Sequence, residues 1–598
     1  MDIFAIIKLL GGLAMFLYGI EIMGDGLKNS SGAALKKVLE KVTGNVLVGV
    51  LTGTLVTAVI QSSTATIVLT VALIGAGVLS LRQAVSIVLG ANIGTTITAQ
   101  IIRLMDIDSN GNMVLEFCKP ENLAPIALVV GIILIMFVKR KSVKTVGDIF
   151  IGFGILFSGL LNMTAAVNPL SDSPEFAAIL ARFAGNPLLG ILSGLVLTVV
   201  VQSSSAMVGM LQALSSTGAM TFSMVYPVIM GINLGTCVTT AMVCSIGSSK
   251  DAKRTGVVHI AFNTIGTILF MIVMTILQKN HLFGDSFWTK AVDSGGIANF
   301  QTVFNVITAI ALLPFTNQLV KLSKVIVKED KPEDLPHPEL HTLDPKLYIS
   351  PAVAVSEATK AVAAMGTIAK ENFARGCEQL FKYDAGTVKK IDQDEDCLDT
   401  FADTSDHFLI GLSKAVESEQ EDRQLDMLMQ VVPNFERVGD YATNLVELSQ
   451  RLSADGGSFS DMAKQELKII CDAVNEILSM TVDAFSRNDK QLVRNIEPFE
   501  EVIDDMVMIL RDRHTKRLKA SACSVNSGLV FMETLTYLER ASDQCSSIAV
   551  MMMSRDNETI LQNHYEYLRE LHAGNDQEYL AEKEHRRKQY IDALKNIG

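Results

Sequence analysis

With 598 residues, 49% of them apolar, and a positive mean hydropathy, the chain is too long for one domain and too hydrophobic to be wholly soluble. Its net charge of −13 argues against a nucleic-acid partner. The eight cysteines form no C-x-x-C pair, which fits reduced thiols on the cytosolic side rather than a disulfide framework.

From the N-terminus, MDIFAIIKLLGGLAMFLYGI lacks a basic leader and a small-x-small cleavage site, so it reads as a retained first helix. Full-length spans are predicted near 3–23, 82–102, 122–138, 149–166, 222–246, 255–278 and 299–320, each close to the ~20 apolar residues that a ~30 Å bilayer core requires. Two further apolar segments, 45–77 and 186–218, are interrupted by polar clusters, leaving arms of about 14 to 16 residues that are too short to cross. They read as re-entrant helical hairpins, whose irregular tips must be buried in protein or face water because lipid cannot satisfy open backbone.

The two hairpins are copies. GVLTGTLVTAVIQSSTAT (Gly49 to Thr66) aligns without a gap on GILSGLVLTVVVQSSSAM (Gly190 to Met207), and the same offset carries Gly90, Asn92, Gly94, Thr95 and Thr98 onto Gly231, Asn233, Gly235, Thr236 and Thr239. It also carries Gly11 and Phe16 onto Gly152 and Phe157. Shared register over most of two units signals internal duplication, with one repeat over about 1–141, a second over about 142–282 and a last span at 299–320. Three full spans plus a hairpin that returns to its own side make each repeat odd, so the second must enter the bilayer from the opposite face. Lys28, Lys36, Lys37 and Lys41, then Lys139, Arg140, Lys141 and Lys144, then Lys250, Lys253 and Arg254, and finally Lys321 and Lys324 all fall on one side, which the positive-inside rule makes cytoplasmic. The N-terminus is then outside and the hairpin tips approach each other from opposite faces.

Gln61-Ser62-Ser63-Thr64 and Gln202-Ser203-Ser204-Ser205 place amides and hydroxyls at the tips, where a new helix also begins. Free backbone N–H groups and the positive end of a helix dipole make an anion site, and the hydroxyls can also coordinate a small hard cation. GANIGTT (Gly90 to Thr96) and GINLGTC (Gly231 to Cys237) are expected to break their helices and expose carbonyl oxygens suited to Na⁺. No lysine or arginine lies in either hairpin or either Gly-Asn-Gly motif, so a bound anion needs co-bound cations. The bland alternative is that Ser, Thr, Gly and Asn simply pack membrane helices.

QSSTAT and QSSSAM, with GANIGTT and GINLGT downstream, resemble the paired signature of the type II sodium/phosphate cotransporters over roughly residues 1–320. The resemblance implies a site for inorganic phosphate and sodium ions at Gln61, Ser62, Ser63, Thr64, Gln202, Ser203, Ser204 and Ser205, with Asn92, Thr95, Asn233 and Thr236 as neighbours. Thr64 departs from the serine of the second copy but keeps the hydroxyl. Asp106 to Asn112 begins like a calcium loop, yet Phe117 stands at its twelfth position, and a polar turn is the simpler reading. Glu21, near the cytoplasmic end of the first span, is read as snorkelling to the interface.

A mixed linker (326–351) leads to a half that is helical throughout, with six amphipathic helices near 352–383, 387–416, 420–453, 461–487, 490–519 and 524–555, then a charged helical tail (557–598). They form two three-helix sets. Glu436-Arg437 with Asp440 recurs as Glu539-Arg540 with Asp543, and Ile391, Glu395, Asp396 and Asp399 recur as Ile496, Glu500, Glu501 and Asp504. Carboxylates four residues apart share a helical face, and two such faces can chelate a divalent metal or merely form a solvated acidic stripe. FERVGDYATNL (Phe435 to Leu445) resembles a PhoU domain, which implies Glu436, Asp440, Glu539 and Asp543 as ligands of iron, zinc, manganese or magnesium; LERASDQCSS lacks the Gly and Asn of the first copy. The expected fold class is all-α: a polytopic membrane bundle of two inverted repeats with re-entrant hairpins, plus a cytoplasmic PhoU-like pair of three-helix bundles, through which copies of the chain are expected to associate.

The expected function is sodium-coupled symport of inorganic phosphate across the cytoplasmic (inner) membrane, inward down the sodium gradient, with a membrane phosphate sensor or scaffold as the alternative. No P-loop lysine, HExxH or nucleophile elbow points to an enzyme.

Overall fold

Helix is the regular structure throughout the described residues, apart from an isolated bridge between Thr221 and Ala291. The computed structural model describes residues 3–40, 45–75, 78–106, 116–117, 119–170, 186–245, 250–328, 336–416, 418–454, 458–520, 523–557, 560, 563–572 and 576–597, and the chain divides into units Met1–Pro332 and Glu333–Gly598.

The first unit runs α1 (Ile3–Glu40), the hairpin α2 (Val46–Ile60) and α3 (Ser63–Gly75), then α4 (Leu81–Gly94), α5 (Thr96–Ile102) and α6 (Pro120–Phe137). Its second copy runs α7 (Lys141–Val167), the hairpin α8 (Pro187–Val201) and α9 (Ser204–Ser215), α10 (Phe222–Ser245) and α11 (Lys250–Lys279), and α12 (Asp285–Thr289), α13 (Ser294–Leu312) and α14 (Thr316–Ile326) follow. The hairpin arms have 15, 13, 15 and 12 residues, too few to span. Seven of the eight stretches long and apolar enough to cross a bilayer fall where the sequence places spans. The eighth, Pro351–Gln379, is in the second unit, where Val362, Met365 and Phe373 are fully buried in that unit's core.

The repeat-related helices α1 and α7 pack through glycines, and the contacts fix their direction. A methyl placed on Gly12 would lie 2.8 Å from the Gly159 carbonyl oxygen, one on Gly19 would lie 2.3 Å from the Leu156 nitrogen, and one on Gly26 would lie 2.7 Å from Ile149 Cγ1. Climbing α1 descends α7, so equivalent helices run antiparallel and the two copies are inverted.

Inside each copy the first hairpin arm packs against the helix that carries the Gly-Asn-Gly motif. A Cβ on Gly90 would meet the Val50 carbonyl oxygen at 2.0 Å, and one on Gly231 would meet that of Ile191 at 2.1 Å. This corrects one expectation from the sequence. Thr95 keeps right-handed helical angles (φ −57, ψ −28) between α4 and α5, and α10 runs unbroken through Asn233 and Thr236. The glycines are spent on close approach rather than on unwinding, so they free no carbonyls. Gly90→Ala and Gly231→Ala should each cost about 1–3 kcal/mol by overpacking, read as a lowered unfolding temperature in detergent, while Gly11→Ala, with nothing within 4 Å, should not.

The second unit contains α15 (Pro351–Gln379), α16 (Ala385–Ser413), α17 (Glu419–Ala454), α18 (Asp461–Arg487), α19 (Lys490–Lys519) and α20 (Val525–Asp556). Asp384, Ser460, Asp489 and Ser524 cap helix starts by accepting from backbone N–H groups two or three residues on. α15 to α17 and α18 to α20 form two sets that pack through α17 against α20 and α15 against α18, with Gly366 leaving room for the Phe435 ring. The second part of the expected linker is docked on this unit, with Leu347 buried and the Tyr348 hydroxyl donating to the Phe408 carbonyl at 2.8 Å. The tail is docked too, as α21 (His564–His572), α22 (Gln577–Arg586) and α23 (Asp592–Lys595). Arg586 lies 4.4 Å over the Phe499 ring and pairs with Glu476, and Tyr590 stacks on the same ring at 5.5 Å.

Candidate functional site

Each hairpin tip turns on a glutamine in the left-handed region, Gln61 at φ 58, ψ 19 and Gln202 at φ 58, ψ 20. Glycine or asparagine usually takes this helix-ending position, and an L side chain there is strained. The same strain at the equivalent residue of both copies points to a use for the side chain. The turn is held by the Gln61 N–H on the Thr57 carbonyl at 2.8 Å and the Gln202 N–H on the Thr198 carbonyl at 2.7 Å.

Ser62 and Ser203 then cap the second arms, their hydroxyl oxygens accepting from the Ala65 and Ala206 N–H groups, both at 3.2 Å. The N–H groups of Ser63, Thr64, Ser204 and Ser205, in the first turns of α3 and α9, have no acceptor within their helices. Each tip therefore combines backbone donors, serine hydroxyls and a helix's positive end.

The two tips are not in the same state. Gln61 is buried; its Oε1 accepts from the Thr98 hydroxyl at 2.8 Å and its Nε2 donates to the Ala58 carbonyl. Gln202 is exposed, and Thr239, the counterpart of Thr98, donates to its own helix at the Thr236 carbonyl, 2.8 Å away. The α3 arm packs on α10 and α11 of the second copy, while α9 packs on α1 and α5 of the first, where Gln212 donates to the Ala99 carbonyl at 3.1 Å. Each copy thus holds the other's hairpin.

The flanking residues are placed as follows. Asn92 is buried on α4 and donates to the Val88 carbonyl at 2.9 Å, and the Thr95 hydroxyl donates to that of Ala91 at 3.1 Å. Asn233 is buried on α10 with its Nδ2 unpartnered, and the Thr236 hydroxyl donates to the Asn233 carbonyl at 2.7 Å. Sequence reasoning assigned no role to Thr57 and Thr198, and recorded Thr98 only as the repeat counterpart of Thr239. The Thr57 hydroxyl donates to that of Thr66 at 2.9 Å, while the buried Thr198 hydroxyl has no partner because Met207 replaces Thr66 in the second copy. Their shared register beside the QSS motif was the available signal. The acidic stretch after Asp106 lies outside the described residues, and Asp106 itself accepts from the Gly295 N–H.

In the second unit two carboxylate triads form, Glu395, Asp399 and Asp440, and Glu500, Asp504 and Asp543, with oxygens of each triad within 4.8 Å of one another. Each joins a middle helix to the third helix of its own set, α16 to α17 and α19 to α20. Asp440 and Asp543 are therefore ligand candidates in separate sites, each with partners that sequence reasoning recorded as a repeat but did not assign. Glu436 stands beside the first triad, its pKa raised by burial and by the nearby Asp399 and Asp440. Glu539 is turned to Arg511, 2.6 Å away. Burial and neighbouring carboxylates push Glu395 up to about 7, Glu500 to about 9 and Asp504 to about 6. All-oxygen donors that resist being charged together suit a hard divalent cation, which would relieve the repulsion.

The Na+/Pi-cotransporter family model matches residues 15–165 and again 162–291, and the PhoU domain model matches 362–449 and 467–552. The chain is 22% identical over 556 residues, 92% of its length and 98% of the relative's, to YjbB of Escherichia coli (strain K12), provisionally named an inorganic phosphate export protein. It is 28% identical over 316 residues to the uncharacterized YqeW of Bacillus subtilis (strain 168), covering 53% of this chain and 96% of that one. It is 33% identical over 149 residues to sodium-dependent phosphate transport protein 2B of Homo sapiens, covering 24% and 21%. No solved structure matches the chain. A hairpin unit matched twice by the first model, ahead of a helical unit matched twice by the second, makes this multi-pass membrane protein a member of the Na+/Pi-cotransporter family with a PhoU domain.

Proposed function

We propose that the chain carries inorganic phosphate across the cytoplasmic membrane together with sodium ions. The observation that carries the reading is the pair of strained glutamine tips on inverted copies, each combining a serine pair with the start of a new helix in a hairpin that contains no lysine or arginine. A phosphate dianion without fixed positive charge is prohibitively costly in a membrane interior, and co-bound sodium removes the cost. The likeness to a sodium-dependent phosphate transport protein supports the coupling.

With basic loops cytoplasmic, the N-terminus is outside, the PhoU unit is inside, and the exposed Gln202 tip faces outward while the Gln61 tip is closed. A symporter runs in the direction of its combined gradients, so an inward sodium gradient gives uptake. Export is the second reading, favoured by the end-to-end match to YjbB. The two triads hold divalent metal, and the PhoU unit gates or reports on the transporter. Radiolabelled phosphate accumulation in proteoliposomes tests this: accumulation should require a sodium gradient and collapse in choline. Equal accumulation in choline removes sodium coupling, and none under any gradient leaves a sensor.

A further inference from the structure

α11 carries two polar residues that neither family motif contains, His259 and Asn263, in a stretch from His259 to Leu277 without a charged side chain. They are 0% and 1% exposed. Amides and imidazoles at such depth usually glue helices together by satisfying one another. Here they do not.

The Asn263 Nδ2 has three acceptors around its two hydrogens: His259 Nε2 at 3.1 Å, the His259 carbonyl at 3.2 Å and Asn92 Oδ1 at 3.4 Å. Asn263 Oδ1 is buried with no partner. With Nε2 accepting, the imidazole proton sits on Nδ1, and that nitrogen is also buried and unpartnered. Two amide oxygens, Asn92 Oδ1 at the end of a long hydrogen bond and Asn263 Oδ1 with none, are thus under-satisfied in a dry place. The second motif reaches the same point, since the Cys237 thiol lies 4.0 Å from the His259 carbonyl. A surplus of neutral oxygen acceptors asks for a cation.

We propose that Asn92 Oδ1 and Asn263 Oδ1 form a subsite for one coupling sodium ion. The site is made when the Asn263 amide turns over, so that its oxygen replaces its nitrogen opposite Asn92. The imidazole proton moves from Nδ1 to Nε2 in the same step and donates to the turned Oδ1, so no proton is gained or lost, and the turned Nδ2 takes the place that Oδ1 held. His259 is a positioning residue, and Asn263 is the ion ligand. The inference rests on the sodium-coupled reading and names where one ion sits, on a helix contacted by both copies.

The test uses the full chain in detergent, without phosphate, titrated with sodium chloride against choline chloride at constant ionic strength, reading the unfolding temperature. The wild type should show saturable sodium stabilisation. Asn263→Leu should raise the sodium midpoint at least about tenfold, the scale of one lost ligand, and Asn263→Asp, which adds a charge, should lower it. His259→Leu should copy Asn263→Leu, and His259→Gln, which can still donate, should stay within about threefold of wild type. If Asn263→Leu does not fold, Asn263→Asp decides. Unmoved midpoints in both Asn263 variants beside a responsive wild type overturn the subsite and leave sodium coupling standing. A wild type that answers sodium no better than choline overturns the sodium-coupled reading and the subsite with it.

Discussion

Gln61→Gly and Gln202→Gly should leave the protein folded and cut its phosphate uptake sharply. Both glutamines sit at φ 58, where an L residue pays about 1–2 kcal/mol and glycine pays little, so the backbone of each tip is relieved by the change. The unfolding temperature should therefore hold or rise slightly in Gln202→Gly, whereas in Gln61→Gly the loss of the buried bonds to Thr98 and Ala58 offsets that relief. The side chain is what disappears. Its amide is the group that the Thr98 hydroxyl holds at the closed tip and that stands exposed at the open one. A hydrogen bond to a charged ligand is worth about 1.5–3 kcal/mol, so uptake at low phosphate should fall about 10- to 100-fold in each variant. If stability and uptake fall together, the glutamines are structural turn residues and the anion site lies elsewhere.

Metal-free protein should lose stability in its second unit as the pH rises, and a divalent cation should restore it. Glu395, Asp504 and Glu500 have native pKa values pushed up to about 7, 6 and 9, above what a carboxyl has in the unfolded chain. Acids shifted upward favour folding when protonated, so their contribution is fully present below about pH 4 and is lost progressively as pH climbs through 6, 7 and 9. Glu395 and Asp504 are partly exposed while Glu500 is buried, so solvent screening reduces the contribution of the first two without changing its sign. Manganese or magnesium at 100 times its dissociation constant should return about 2.7 kcal/mol, and the gain should grow with pH because the metal binds the ionised form. Asp440→Asn and Asp543→Asn should each remove one equivalent of metal by elemental analysis while easing the high-pH loss. A preparation that binds no metal and shows no high-pH loss would make the triads a solvated stripe.

Much of the fold was legible because duplication leaves two independent readings of each feature. The hairpins announced themselves through QSS clusters that cut apolar runs into arms too short to cross. The inverted arrangement followed from parity, and it appears in the structure as the antiparallel contact of Gly12 with Gly159 and Gly19 with Leu156. Glycine was the ambiguous letter. Gly90 and Gly231 were read as helix breakers, but in a membrane they serve as easily to let two backbones touch, and only the tertiary contact with Val50 and Ile191 distinguishes the uses. The triads show the same limit. Four E-x-x-x-D pairs are visible in sequence, and periodicity places each on a helix face, but which faces meet depends on packing. The His259 and Asn263 pair was visible as polar residues inside an apolar run and was passed over because neither belongs to a repeated motif.

For phosphate to cross between the two polar tips, they must open to opposite sides of the membrane. Single cysteines at Ser62 and Ser203, in a chain whose native cysteines are changed to serine, can be probed with a membrane-impermeant thiol reagent applied from one side at a time. Position 203 should label from outside and position 62 from the cytoplasm, with the balance shifting when sodium and phosphate are added together. Labelling of both positions from one compartment only, under every condition, would contradict the account.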